Sequence, residues 1–94
     1  MLPTGKATRC KLHVVLDKNP DSMMDVMDFL QERNIKTRIL GIHNDPQRNV
    51  IEVDLAVKIG KYYNANTIIS GLESTKTVQH VAWWMSDGIT KRLE

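Results

Sequence analysis

Cysteine is almost absent: the 94 residues hold one, Cys10. A single thiol excludes an intrachain disulfide and a zinc site built on paired thiolates, and it fits a reducing compartment. Aromatic residues make up 5% of the chain, and no apolar run approaches the roughly 20 residues that span a bilayer. The N-terminus lacks the apolar core of a signal peptide. Also missing are Gly-x-Ser-x-Gly, a glycine-rich phosphate loop and His-Glu-x-x-His, so no common catalytic signature is present.

What remains is ordinary globular usage. Charged residues make up 26% and hydrophobic ones 41%, a balance that excludes a disordered chain. The length allows one core of useful size. The net charge is +2, and Lys11, Lys18, Lys36, Lys58, Lys61 and Lys76 are scattered among Asp and Glu along the chain. Read linearly, they form no nucleic-acid patch. Residues 1–8 read as a polar leader or linker, 9–85 as the folded domain and 86–94 as a polar tail. The closing Leu93-Glu94 is a dipeptide of the kind an expression vector leaves.

Hydrophobic periodicity gives the element order. Cys10 to Leu16 alternates, with Cys10, Leu12, Val14 and Leu16 on one face and Lys11, His13 and Val15 on the other, which predicts a half-buried strand. Asn19-Pro20-Asp21-Ser22 offers an N-cap, a proline at the first helical position and a first-turn carboxylate. Met23, Val26, Met27 and Leu30 then form a helical stripe, with Asp25, Asp28, Gln31 and Glu32 facing away and Asn34 ending the helix. Ile35 to His43 reads as a second strand, with a bulge where Ile39 and Leu40 break alternation.

The turn formers Asn44 to Asn49 close a hairpin into Val50–Lys58, where Ile51, Val53, Leu55 and Val57 face one way and Glu52, Asp54 and Ala56 the other. A second helix is capped by Asn64, carries Ala65, Ile68, Ile69 and Leu72 inward, and includes Gly71 as a mark of close packing. Val78 to Trp84 forms the last strand, with Val81 and Trp83 inward. This order, β-α-β-β-α-β, predicts a ferredoxin-like, ACT-like α+β fold: a four-stranded antiparallel sheet, order 4-1-3-2, with both helices on one face. The uncovered face then holds His13, Val15, Glu52, Asp54, Ala56, His80, Ala82 and Trp84.

The residues of both halves carry a resemblance. Leu12 to Pro20 (LHVVLDKNP), the helix segment MDVMDFL and Asn34-Ile35 resemble the opening of ACT-like regulatory domains. Ile68 to Leu72 (IISGL) followed by Thr77 to Trp83 (TVQHVAW) resembles the end of the C-terminal domain of the MgtC/SapB family of bacterial membrane proteins. That resemblance implies a noncatalytic cytoplasmic appendage of a protein of the bacterial cell membrane, linked to magnesium limitation and virulence and acting through protein partners. The alternative is an ACT-type amino-acid sensor, with Asp17, Asn19 and Asp21 as its ligand loop. ACT domains that bind amino acids commonly place glycine after the loop proline, where this chain has Asp21. Its carboxylate would repel that of the ligand, which favours the membrane-protein reading.

Candidate chemistry is sparse. Cys10 sits on the core face, away from His13, and reads as a structural thiol. An acylphosphatase-like cradle would need glycines and an arginine that the loop after strand one lacks. His13 and His80, with Glu52 or Asp54, could meet at a metal only if the register set the histidines opposite each other; ordinary surface histidines are the plainer reading, and no metal or other cofactor is expected. Asp21, Asp25 and Asp28 read as a solvated helix flank rather than a magnesium site. The strands that carry aromatics in RNA-recognition domains have none here. His13, Val15, Ala56, His80, Ala82 and Trp84 are therefore expected to form a partner surface for another protein, a second copy or the parent's membrane portion, with the edge strands as the other docking route.

Overall fold

The computed structural model describes residues 8–60 and 63–85, so the polar tail and nearly all of the leader lie outside the described residues. Six elements follow in the order β1 (Thr8–Asp17), α1 (Ser22–Glu32), β2 (Lys36–Asp45), β3 (Val50–Ile59), α2 (Ala65–Glu73) and β4 (Val78–Met85). The sheet order is β2-β3-β1-β4, and every neighbouring pair is antiparallel. The two central strands, β1 and β3, are those whose alternation was cleanest in the sequence.

One face of this sheet and both helices share a core: Cys10, Leu12, Val14 and Leu16 from β1, Val53, Leu55 and Val57 from β3, Val26 and Leu30 from α1, and Ile68, Ile69 and Leu72 from α2. Each such aliphatic side chain, moved out of water, stabilises the fold by about 1.5–3 kcal/mol. Gly71 shows how the helices meet. A Cβ there would lie 2.5 Å from Cζ of Phe29, so the ring of α1 rests directly on the α2 backbone. The Arg33 guanidinium covers that ring at 3.7 Å from its centroid, and Arg33 Nη1 donates to the Phe29 carbonyl.

The start of α1 differs from expectation. Helix begins at Ser22, with Asp21 as its N-cap residue, and the Asn19 side chain accepts from the Asp21 amide in an Asx turn just before it. Ser22 is wholly buried, and its hydroxyl donates to the Asp17 carbonyl at 2.7 Å, which locks the helix start to the end of β1. Asp25 is half-buried rather than turned to water: it accepts from the Thr77 hydroxyl at 3.0 Å and ties α1 to the turn before β4. Asn34 adopts φ 58°, the left-handed end of the helix. For α2, Asn64 caps by accepting from the Asn66 amide at 2.8 Å.

Strand β2 runs Lys36–Asp45, one residue later at its start and two at its end than the pattern suggested. Its register against β3 shifts between Ile39 and Gly41, which puts the bulge at Leu40. The hairpin to β3 closes through Asn49 at φ 58°.

Candidate functional site

Cross-strand register decides what the uncovered face presents. Along β1, Arg9, Lys11, His13 and Val15 point away from the helices, and their β3 partners are Lys58, Ala56, Asp54 and Glu52. Toward the β2–β3 hairpin the charges pair. His13 stands between two carboxylates, with Nδ1 2.7 Å from Asp54 Oδ1 and Nε2 3.1 Å from Glu52 Oε1. Glu52 also binds Arg48 at 3.1 Å, and Arg48 reaches Asp45 at 3.4 Å, so five side chains form one connected polar network.

The register also places the two histidines. His13 lies opposite Ala82, while His80 lies opposite Val15, so the register does not bring the two rings together. The two carboxylates occupy opposite nitrogens of His13 and converge on no common point. Among the described residues, no group of three or more His, Cys, Asp or Glu side chains is placed to hold a metal ion. Cys10 is buried on the helix-covered face, where desolvation raises its thiol pKa and keeps it in the unreactive neutral form.

The expected partner surface is only partly available. Trp84 is 43% exposed and His80 is exposed, whereas Ala56 and Ala82 are half-buried. Val15 is a correction: it is 6% exposed, flanked by Glu52 on β3 and His80 on β4, so it offers little surface to a partner. The candidate ligand loop is occupied with its own structure. Asp17 accepts from the Gln79 amide side chain at 2.7 Å, Asn19 makes the Asx turn, and Asp21 is the exposed N-cap residue of α1 without a side-chain cap bond.

Sequence reasoning missed two features. The first is the apolar character of one expected docking edge, that of β2, where Ile39, Leu40 and Ile42 are all exposed large hydrophobics. Ile39 and Ile42 pair with the buried Leu55 and Val53, so both project on the helix side of the sheet. The second is a groove of about 490 Å³ lined by Arg9, Lys11, Lys36, Arg38 and Lys58 with Thr37, Ala56 and Val57. Lysines scattered in sequence are thus gathered by register, a long-range property that no local pattern reports.

No protein-family model matches the chain, and no curated protein matches it. Solved structures do. The solution structure of the C-terminal domain of the MgtC protein from Mycobacterium tuberculosis superposes with a TM-score of 0.58 at 15% identity, covering 94% of this chain and 96% of that one. The crystal structure of the ACT domain from GTP pyrophosphokinase of Chlorobium tepidum gives 0.60 at 12% identity, covering 83% of this chain and 99% of that one. The chain has an ACT-like, ferredoxin-like fold. At these identities the likeness extends to architecture, and the fold inferred from β-α-β-β-α-β periodicity is the one found.

Proposed function

We propose that the chain is a noncatalytic regulatory domain that docks another polypeptide along edge strand β2, as the cytoplasmic C-terminal part of an MgtC/SapB-type membrane protein. The observation that carries this reading is the apolar edge. Ile39, Leu40 and Ile42 are 43%, 45% and 59% exposed on a strand that, among the described residues, has β3 on one side and no strand on the other. Unpaired backbone groups beside exposed apolar side chains form a template for strand addition, and natural edges without a partner are usually blunted by charge or proline. The likeness to an MgtC C-terminal domain supports the choice of parent. In this reading the link to magnesium limitation and virulence runs through protein contact rather than through ion binding.

A second copy of the chain is the first partner to test. The Leu40 bulge puts Ile39 and Ile42 on one face. Antiparallel pairing of two β2 strands about Leu40 and Gly41 then sets Ile39 against the other copy's Ile42, and Lys36 against its Asp45. Apolar meets apolar and opposite charges meet, as a two-fold interface requires. Sedimentation velocity over a concentration series is expected to show a monomer–dimer equilibrium that Ile42→Lys shifts to monomer. A monomer at every concentration, or a dimer broken by Trp84→Ala but not by Ile42→Lys, would overturn docking through this edge. The membrane-parent assignment fails if the coding sequence upstream of Met1 holds no membrane helices.

A further inference from the structure

The basic groove carries an inference of its own, drawn from charge on the open face, with Lys36 as the one residue it shares with the proposed edge pairing. Arg9, Lys58 and Lys36 stand directly opposite one another across β1, β3 and β2. The next row on the same face runs Trp84, Lys11, Ala56 and Arg38 across all four strands. The two rows are about 6–7 Å apart along the strands, and neighbouring strands about 5 Å apart. Five cations therefore share one shallow groove. Among the described residues, none of the five has a carboxylate within salt-bridge distance, although ion pairs are plentiful toward the hairpin.

Like charges directly opposite on a sheet cost stability, so this placement is explained by an anion that offsets it. The groove volume falls within the range of small-molecule sites, roughly 300–1,000 Å³. Arg9 and Arg38 lie at opposite corners and can each present a two-pronged fork, which suits phosphate oxygens better than a single carboxylate. Lys11 also lines an adjoining notch of about 270 Å³, together with Trp84, Leu40 and Asp54. Trp84 is half-exposed there, and its indole offers a flat apolar surface beside the cations.

We infer that this face binds a nucleoside di- or triphosphate, with the phosphates on Arg9, Lys11, Lys36, Arg38 and Lys58 and the base against Trp84. A single-stranded nucleic acid is the less favoured occupant, because it would draw on a succession of aromatic platforms and the described strands expose one on this face, Trp84. The ligand would bind to β2 and its neighbours without covalent change, as a signal rather than a substrate.

The test is a titration of the full ¹⁵N-labelled chain with ATP and, separately, with inorganic tripolyphosphate. ATP is expected to bind saturably, with shifts confined to residues 9–11, 36–38, 56–58 and 84. The double variant Lys11→Gln/Lys58→Gln is expected to weaken ATP about tenfold or more, because it removes two of the phosphate contacts. Lys76→Gln, a cation at the opposite end of the sheet, should leave it unchanged. Trp84→Ala should weaken ATP while leaving tripolyphosphate unaffected. Absence of saturation at roughly millimolar ATP, or equal losses in Lys76→Gln and the double variant, would overturn the site. Equal effects of Trp84→Ala on both ligands would overturn the nucleoside assignment. A thymidine decamer that binds more tightly than ATP would replace the small ligand with a nucleic acid.

Discussion

At one end of the uncovered face, Asp45, Arg48, Glu52, His13 and Asp54 are joined by a continuous run of side-chain contacts. At the other end, Arg9, Lys58 and Lys36 share a single cross-strand row with Lys11 and Arg38 beside them. The same three strands supply both ends, with Arg48 of the β2–β3 turn added at the paired one, and both rest on the same buried layer. A sheet that pairs its charges so fully at one end has no geometric obstacle to doing so at the other. The difference teaches that the paired end serves the fold, whereas the cationic end holds charge that costs stability in the free domain.

The layer beneath sets the scale against which this contrast is measured. Leu55→Ala, at a wholly buried site in the central strand β3, is expected to lose about 2–5 kcal/mol of stability, read from urea unfolding, and to weaken both ends alike. At the paired end, Glu52→Gln removes the carboxylate shared by His13 and Arg48, and is expected to cost about 1 kcal/mol by the same measurement. At the cationic end the sign reverses. Lys58→Gln, which sits between Arg9 and Lys36, is expected to stabilise the free domain by about 0.2–1 kcal/mol. A loss of stability there would break the comparison.

A further expectation concerns the helix-covered side. The raised pKa of buried Cys10 keeps its thiol protonated, so thiol reagents should label it only as fast as the domain unfolds. Labelling should accelerate in urea, in step with loss of structure. Fast labelling of the native domain would place Cys10 outside the core.

Local signals made the core legible. Alternation in β1 and β3 named the buried residues, Gly71 announced the Phe29 contact, and the Ile39-Leu40 pair located the bulge. What the sequence concealed depended on specific side-chain bonds or on long-range register. Asn19 resembles a helix cap, yet the helix opens two residues later with Asp21 at its N-cap, and Asp25 looks solvated until Thr77 arrives from the far half of the chain. The cationic groove was least legible, because Arg9, Lys58 and Lys36 become neighbours only once β3 lies between β1 and β2. The candidate ligand loop illustrates the converse: Asp17 and Asn19 look available in sequence, but their acceptors serve Gln79 and the Asx turn.

Strand β2 links the two proposed activities. Lys36 and Arg38 line the groove on its open face, while Ile39 and Ile42 project on the other side at the docking edge. A ligand on one face of this strand therefore lies within a few residues of a partner on the other.

The central claim, that the cations without a carboxylate partner among the described residues are held ready for an anionic ligand, is tested most directly by urea unfolding of the wild type and Lys58→Gln with and without saturating tripolyphosphate. The account expects the order of stability to cross: Lys58→Gln is the more stable without the anion, and the wild type gains more with it. Equal gains for both proteins, or no gain for either, would contradict it.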